Sequence, residues 1–323
     1  MSDALRVSVL VPAYNGEAFI GEALASLSSQ TFGGFEAIVV DDGSTDQTAA
    51  LVANVARSDT RFRLIRQSNA GTQAARNTAL AAARGAWVAL LDQDDVWRPR
   101  KLEAQLALAD ADPGANLLFT NYEVWDGNSV LETRYAKPEK FPEGDVALGL
   151  ARSCLFGAST VMIPRALAVS LSGFDVSLRN TGDWDLWLKV AEAGIEARGS
   201  FTPLVLYRVW GGNESANHLR TADERVQVLE KATRRPQPRA LRAACERALR
   251  EARAQRELVR ASERLDDPAF VRASLRAALS AEPNPKRLLE WLAVAWPAGL
   301  GGRRTAAMIR AKLARKYPRL VRE

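Results

Sequence analysis

The chain has 323 residues, of which 47% are hydrophobic and 25% charged, an ordinary composition for a globular protein of one or two domains. No apolar run reaches the ~18 residues that a membrane-spanning helix needs. One histidine and two cysteines almost exclude a zinc site of the usual His/Cys type. The net charge of +6 divides into −7 for residues 1–219 and +13 for residues 220–323, which places a domain boundary near residue 219.

The first 115 residues alternate between short apolar runs and helix-like segments. Strands are predicted at 6–11, 35–40, 62–65 and 86–91, where β-rich runs end at turn residues. Helices are predicted between them, at 17–30, from Asp46 to about residue 57, and at 71–84 with Gly85 as C-cap; Pro99 opens the next one. This alternation predicts a parallel sheet covered by helices.

The rest of the chain has two further patterns. Strands are predicted at 117–125, 160–163 and 203–210, with a helix at 183–193. From about Arg220 the chain is rich in Ala, Arg and Leu with helical periodicity that prolines interrupt. We therefore expect an α/β domain over residues 1–219, with halves at 1–115 and 116–219, and a basic helical tail over 220–323.

Polar clusters follow three of the four predicted parallel strands, at residues 12–15, 41–44 and 92–95. Ligands of such sheets bind beyond the carboxyl ends of the strands. Three clusters at equivalent positions therefore predict one binding site.

The third cluster brings Asp92, Asp94 and Asp95 together directly after an apolar run. Like charges this close disfavour ionisation, so a positive partner is expected. The spacing of Asp92 and Asp94 suits a hard divalent cation whose coordination is completed by substrate phosphates. An exposed acidic turn is the alternative, and the position beside two other strand ends favours the cation.

The other two clusters each allow two interpretations. Asp41 and Asp42 could accept hydrogen bonds from a nucleobase or a ribose, whereas turn chemistry around Gly43 also explains them. Both interpretations can hold together. Tyr14 could stack on a base or simply cover an ordinary turn.

Four segments resemble glycosyltransferase family 2: VSVLVPAYNGEAFIGEALASLSSQTFGGFEAIVVDDGSTDQT, QSNAGTQAARNTALAAARGAWVALLDQDDVWRP, FGASTVMIPRALAVSLSGFDVSLRNTGDWDLWLKVAEAG and YRVWGGNESAN. The resemblance covers roughly residues 7–217. It implies the GT-A fold, with a Rossmann-like, doubly wound, mostly parallel sheet. It also implies inverting transfer of a sugar from a nucleotide donor, with a divalent cation, Mn²⁺ or Mg²⁺.

The resemblance also implies roles for individual residues. Asp94 holds the metal on the diphosphate, and Asp92 lies near the ribose. Arg76 either lines the nucleotide pocket or serves only as an ion-pair partner. The full nucleotide-binding set is Pro12, Ala13, Tyr14, Asn15, Glu17, Asp42, Asn69, Gly71, Arg76, Asp92 and Gln93.

The segment TGDWD resembles the Glu-Asp catalytic motif of the family, with Gly182 in place of the glutamate and Asp183 at the position of the base. A carboxylate there would remove the proton of an acceptor hydroxyl as it attacks. The alternative is a helix N-terminal carboxylate stabilised by the dipole. Asp185 is expected on the helix surface or the acceptor side, and Trp184 and Trp187 in packing.

Two features of the sequence depart from the family. Trp210 stands where relatives often place a histidine, and because an indole does not coordinate metal, metal dependence stays open. The Q-x-x-R-W motif and the membrane spans of the processive synthases are missing, which favours single additions. Gly182 and Trp210 keep a catalytically degenerate nucleotide-binding scaffold as an alternative; a nucleotidyltransferase would need a basic, glycine-rich loop where the chain has PAYNGEAF.

The expected enzyme moves one sugar, from a UDP-sugar, to a hydroxyl of a surface glycan such as a lipid-linked saccharide. The absence of a signal peptide and the low cysteine content indicate a cytoplasmic protein, here at the inner face of a bacterial membrane. Segments 284–296 and 303–317 have apolar faces flanked by Lys and Arg, which suit either an anionic membrane surface or packing on other helices. No motif indicates nucleic-acid binding.

Overall fold

The computed structural model describes residues 5–112, 114–213, 217–264 and 267–281. The chain divides into two compact units, Met1–Ala216 with Arg235–Arg242, and Asn217–Arg234 with Ala243–Glu323. The domain boundary at residue 219 stays a prediction. The tail segments 284–296 and 303–317 lie outside the described residues.

The first part of the larger unit alternates strands and helices as predicted. Its strands are β1 (Val7–Ala13), β2 (Phe35–Asp41), β3 (Phe62–Arg66) and β4 (Trp87–Leu90). Its helices are α1 (Ile20–Ser28), α2 (Thr48–Ser58), α3 (Thr72–Ala82) and α4 (Lys101–Ala111). Every residue of β1 and β2 is buried, which explains why both are mainly apolar with no regular polar alternation; among the exceptions, Ser8 and Glu36 hydrogen-bond each other at 2.8 Å.

The second part of the larger unit is mixed. Its strands are β5 (Val96–Trp97), β6 (Leu117–Trp125), β7 (Val130–Thr133), β8 (Met162–Pro164) and β9 (Ala197–Arg208). Its helices are α5 (Ala147–Arg152), α6 (Arg165–Ser170) and α7 (Gly182–Glu192), with 3₁₀ turns at Pro138–Lys140 and Ala158–Thr160. The strands of both parts form one sheet in the order β3-β2-β1-β4-β8-β6-β9-β5, and β7 pairs with β6.

Strand direction changes across this sheet. Strands β3, β2, β1 and β4 are mutually parallel, and the parallel β/α unit predicted for this region is confirmed. Strand β8 runs antiparallel to both β4 and β6, whereas β6 and β9 are parallel. Because β1, β2 and β4 point the same way, the loops that follow them lie at one edge of the sheet, where the candidate site forms.

Gly85 has a different role from the one predicted. Helix α3 ends at Ala83 with extended backbone, and Gly85 does not have a positive φ. A Cβ at Gly85 would lie 2.6 Å from the Ser8 amide nitrogen and 2.7 Å from the Val7 carbonyl carbon. The glycine is therefore required because the chain passes close to β1 at this point.

The smaller unit is helical, as predicted. Its described elements are α8 (His218–Arg234), the greater part of α9 (Arg239–Glu263) and α10 (Pro268–Ala281). Arg260 and Arg256 of α9 lie near Asp223 of α8, at 3.0 and 3.8 Å, and Arg253 contacts Glu230 at 2.7 Å. Over the part of the chain that is described, no helix is long and apolar enough to cross a bilayer.

A fully buried lysine lies at the start of α4. The Nζ atom of Lys101 donates to Gln105 Oε1 at 2.6 Å and lies 3.7 Å from the centre of the Trp97 ring. Burial lowers the pKa of Lys101 well below its usual value. The folded chain therefore disfavours a charge that the unfolded chain carries up to about pH 10.

We expect Lys101→Met to be more stable than the parent below about pH 10, where the unfolded parent carries a charge that burial disfavours in the folded parent. Parent stability should rise as pH approaches the usual lysine pKa of about 10.4, by at most about 1.4 kcal/mol per pH unit from this group. The difference between parent and Lys101→Met should shrink over the same range. Urea unfolding at several pH values measures it, and the exposed Lys140→Met is the control. A difference that is constant with pH would contradict the buried neutral lysine.

Candidate active site

The loops after β1 and β2 are fastened to each other. Asn15, which has a positive φ of 46°, donates its amide to Ser44 Oγ at 3.0 Å. The Glu17 amide donates to Asp46 Oδ2 at 3.1 Å, and Glu17 Oε2 accepts from the Gln47 amide at 2.9 Å. Asn15 and Glu17 therefore hold the two loops in register beside the strand ends.

Asp42 fastens a third loop. Its carboxylate accepts from the Gln67 side chain at 2.7 Å and from the amides of Ala70 and Gly71 at 2.9 and 2.8 Å. The side chain is almost fully buried. Gly71 has a φ of 93°, which favours glycine, and it directly precedes α3. Asp42 thereby sets the path of the loop that carries the exposed Asn69.

Gln93 joins the loop after β1 to the loop after β4. Its side-chain amide accepts from the Tyr14 amide at 2.9 Å and donates to the Tyr14 carbonyl at 3.1 Å. A Cβ on Gly16 would overlap the end of this side chain, so a larger residue there would displace Gln93 from Tyr14. Pro12 and Ala13 are buried at the end of β1, whereas the Tyr14 ring is 45% exposed and free to contact a ligand.

Arg76 forms an ion pair, which was one of the two roles expected for it. Its Nη2 contacts Asp92 Oδ1 at 2.6 Å, and its Nη1 donates to Gln73 Oε1 at 3.2 Å. The guanidinium is 4% exposed, whereas the Asp92 side chain is 29% exposed. The buried Arg76 guanidinium thus holds Asp92 at Oδ1, while part of the Asp92 side chain stays exposed.

The remaining two carboxylates of the acidic cluster differ in environment. Asp95 is fully buried and accepts from Ser159 Oγ at 2.5 Å and from the Arg208 amide at 2.9 Å. Burial, together with the charges of Asp94 and Asp92, raises the pKa of Asp95 well above its usual range. Asp95 therefore fastens the acidic loop to the end of β9.

Asp94 lies under the segment that follows β9. Its Oδ2 accepts from Trp210 Nε1 at 2.9 Å and from Asn213 Nδ2 at 3.1 Å, and neither donor bonds Oδ1. Burial raises the pKa of Asp94, and the charge of Asp92 adds to that effect while the Trp210 hydrogen bond opposes it. The indole at position 210 thus contacts the same carboxylate that was predicted to hold the metal.

Arg208 is a site residue that the sequence analysis missed. Its Nε donates to the Asp94 carbonyl at 2.9 Å, and its Nη2 contacts Glu22 at 2.8 Å. The guanidinium lies 4.1 Å from the Trp125 ring centre, and Trp210 packs on Phe19 with ring centres 4.7 Å apart. The feature of the sequence that could have identified Arg208 is its position within the aromatic stretch YRVW.

The residues around Asp94 fit a divalent cation only in part. Its oxygens are hard ligands, and its raised pKa shows that the ionised form is disfavoured, so a bound cation would stabilise it. No group of three or more His, Cys, Asp or Glu side chains suited to a metal occurs among the described residues. Asp94 could therefore hold a cation whose remaining ligands come from a bound diphosphate and water.

Asp183 lies in the first turn of α7, half-buried. Burial raises its pKa to about 6, and Asp92 adds to the rise, while the guanidinium of Arg76 and a hydrogen bond from the Trp184 amide oppose it. A carboxylate with this pKa is ionised near neutral pH and can accept a proton. Asp183 is therefore a candidate general base within electrostatic reach of Arg76 and Asp92.

Gly182 has a steric explanation. A Cβ at this position would overlap the Gln73 side chain. Gln73 is itself held in place, since its Nε2 donates to the Arg179 carbonyl at 3.0 Å. The side chain of Gln73 therefore covers the position where the family places a glutamate.

The predicted surface position of Asp185 is wrong. Asp185 is 1% exposed and contacts Lys189 at 2.8 Å and Arg235 at 2.7 Å, and Arg235 also contacts Glu192 at 2.6 Å. Burial of a carboxylate is tolerated because two cations neutralise it. The packing role predicted for Trp184 and Trp187 is seen, since both are buried.

Sequence comparison identifies the family. The family model for "Glycosyl transferase family 2" matches residues 8–162. The chain is 33% identical over 189 residues to UDP-Glc:alpha-D-GlcNAc-diphosphoundecaprenol beta-1,3-glucosyltransferase WfgD of Escherichia coli, covering 58% of this chain and 70% of that protein. The chain is a glycosyltransferase and belongs to glycosyltransferase family 2.

Solved structures show the same fold. S. aureus TarS 1-349 in complex with UDP-GlcNAc matches with a TM-score of 0.65 at 22% identity, over 88% of this chain and 83% of that one. Mannosyltransferase PcManGT from Pyrobaculum calidifontis, in complex with GDP-Man and Mn²⁺, matches with a TM-score of 0.61 at 24% identity. The match covers 98% of this chain and 82% of that one. The predicted GT-A fold with C-terminal helices is confirmed.

Proposed function

We propose that this enzyme transfers a single sugar from a UDP-sugar to a hydroxyl of a lipid-linked saccharide in surface-glycan synthesis, with inversion. The observation that carries the proposal is Asp183, a half-buried carboxylate with a pKa raised to about 6 beside the donor-side carboxylates. The name of WfgD, which states a UDP-glucose donor and a diphosphoundecaprenol-linked acceptor, supports the substrate classes. The UDP-GlcNAc complex of TarS supports a uridine donor.

The donor lies at the edge where β1, β2 and β4 end. Tyr14 supplies an exposed ring for the base, and the loop ordered by Asp42 brings Asn69 and Gly71 to the same pocket. Asp92, held by Arg76, accepts from the ribose. The rest of the nucleotide-binding set is structural support: Pro12 and Ala13 end the strand, and Asn15, Glu17 and Gln93 lock the loops together.

Asp94 would hold a divalent cation, Mn²⁺ or Mg²⁺, which when bound would offset the negative charge that develops on the leaving diphosphate. The Mn²⁺ complex of PcManGT supports this choice of cofactor. Asp183 accepts the proton of the acceptor hydroxyl while the oxygen of that hydroxyl bonds to the anomeric carbon. The bond from that carbon to the diphosphate breaks on the opposite face, so one displacement inverts the configuration.

The acceptor places the enzyme at the inner face of the cytoplasmic membrane of a bacterium. The basic tail, with a net charge of +13 over residues 220–323, faces the anionic lipid surface. Nucleic acid is not a partner. Binding to anionic vesicles that falls steeply with added salt is the expected behaviour.

The test combines binding and turnover. Thermal unfolding is measured with UDP, GDP, CDP, dTDP and ADP, each with Mn²⁺, Mg²⁺ or chelator, because a ligand of the folded state raises the melting temperature. Transfer is then measured with the matching sugars and a GlcNAc-diphospho-lipid acceptor. A metal-dependent shift with UDP and a glycosylated product support the proposal. Tight UDP binding without transfer from any UDP-sugar to any hydroxyl acceptor favours the degenerate scaffold that Gly182 and Trp210 kept open.

A further inference from the structure

The hairpin of β6 and β7 ends in two residues, Arg134 and Tyr135, whose backbone is fixed. The Arg134 amide donates to the Tyr122 carbonyl at 2.9 Å. The Tyr135 amide donates to Asn121 Oδ1 at 3.1 Å, and Asn121 Nδ2 donates back to the Tyr135 carbonyl at 2.9 Å. The Tyr135 hydroxyl donates to the Leu155 carbonyl at 2.7 Å. Hydrogen bonds therefore hold this end of the hairpin in place, and it is not a free loop.

Among the described residues, no carboxylate oxygen lies within 4.0 Å of the Arg134 guanidinium, although the Tyr135 side chain and the more distant charge of Glu132 both favour its charged form. Its guanidinium lies 5.7 Å from the centre of the Tyr135 ring, and it is exposed. The arginines of the donor side differ from it: Arg76 pairs with Asp92, and Arg208 pairs with Glu22. Arg134 is thus an exposed cation on a fixed backbone, and it forms no close salt bridge that would have to break before it binds a ligand.

Segment 150–155, which spans the end of α5 and the loop after it, contacts the neighbours in sequence of both Arg134 and the candidate base. Tyr135 is bonded to this loop at Leu155, and the Trp184 indole, next to Asp183, donates to the Leu150 carbonyl at 2.8 Å. The Cys154 thiol lies between the two ends of this connection. Burial raises the pKa of Cys154, the Asp183 carboxylate raises it further, and the Arg134 guanidinium lowers it. Segment 150–155 therefore connects the end of the hairpin that carries Arg134 to the first turn of α7 that carries Asp183.

We propose that Arg134 binds a phosphate group of the acceptor and so orients the acceptor hydroxyl toward Asp183. The inference rests on the proposed function, which makes the acceptor a saccharide carried on a lipid phosphate or diphosphate. A guanidinium binds two phosphate oxygens at once in a fixed geometry, which a lysine does not reproduce. An acceptor held through its phosphate on one side and its hydroxyl on the other is positioned for attack.

Octyl diphosphate is the probe, and its binding is measured by calorimetry with UDP and Mg²⁺ at saturation, so that the donor diphosphate site is filled. We expect Arg134→Gln to weaken binding about 10-fold or more, and Arg134→Lys to retain part of it. Lys137→Gln is the matched control, since it removes an exposed positive charge three residues away in the same segment. This control should change binding less than about 2-fold.

Two results would overturn the inference: equal binding by the parent and Arg134→Gln, or equal weakening by Lys137→Gln. Phosphatidylglycerol vesicles form a second arm. If Arg134→Gln weakens vesicle binding and leaves octyl diphosphate binding unchanged, Arg134 binds membrane lipid and the acceptor subsite is wrong. The UDP-induced rise in melting temperature should be the same in Arg134→Gln, which shows an intact donor site. Failure of the proposed function is separate, since it appears as absent transfer by the parent enzyme while Arg134-dependent phosphate binding persists.

Discussion

The Asp183→Asn substitution is expected to lower the rate of sugar transfer by about 1,000-fold, because it removes the base that accepts the acceptor proton. Asparagine keeps the size of the side chain and its place in the first turn of α7. UDP should still raise the melting temperature as it does in the parent, since the donor loops are fastened by other residues. A steady-state transfer assay beside the thermal measurement separates the two effects.

The pH dependence follows from the pKa of Asp183, which burial raises to about 6. Below that value the carboxyl is protonated and does not act as a base. The logarithm of kcat/KM should therefore rise with pH with a slope of about 1 below about pH 6 and level off above it. In Asp183→Glu, the log kcat/KM of the residual activity should still rise with pH. In Asp183→Asn, this pH-dependent rise should be absent.

The same raised pKa predicts a gain in stability. The folded state disfavours the ionised carboxyl of Asp183, so the contribution of this group to stability is lost as pH rises through about 6. At about pH 7.5, Asp183→Asn should therefore be more stable than the parent by roughly 1–2 kcal/mol. Asp145→Asn, in the exposed loop before α5, is the control and should keep both activity and stability. Parent-like transfer by Asp183→Asn would remove Asp183 from the mechanism.

Local patterns in the sequence were enough to predict the donor side of the fold. The apolar runs of β1 and β2 have no polar alternation because both faces of the sheet are covered there. Since parallel strands end at one edge, the side chains that follow them must lie together. The convergence of Asp42, Asp92 and Asp94 on that edge was therefore predictable from strand order alone.

Contacts between distant parts of the chain were not predictable. Asp185 was expected on the helix surface or the acceptor side because, two residues after Asp183, it faces a different direction; the burial depends on Arg235, fifty positions later. Gly182 is glycine because Gln73 lies over it, a contact across more than a hundred residues. Arg208 and Trp210 lie beside the acidic loop because β9 pairs with the two-residue strand β5. A strand of two residues is too short to produce a periodic pattern in the sequence.

The acidic loop leads to the last prediction, that Asp94→Asn removes the metal-dependent part of donor binding. An asparagine oxygen can still accept from Trp210 and Asn213, so the packing of the loop is retained while the charge is lost. With Mn²⁺ or Mg²⁺ present, the UDP-induced rise in melting temperature should fall to the value seen in chelator. Transfer should drop by about 100- to 1,000-fold, because charge on the leaving diphosphate is no longer offset.

Trp210→Phe makes the opposite change and serves as the matched variant. It removes the indole N–H that bonds Asp94 and keeps an aromatic ring on Phe19. If the charge of Asp94 is what binds the cation, Trp210→Phe retains the metal-dependent shift, and loss of a competing hydrogen bond strengthens it. If Asp94 matters only for packing, Asp94→Asn leaves UDP binding unchanged while Trp210→Phe weakens it, and chelator has no effect on either variant. The two variants together therefore decide whether an indole at position 210 replaces the metal or lies beside it.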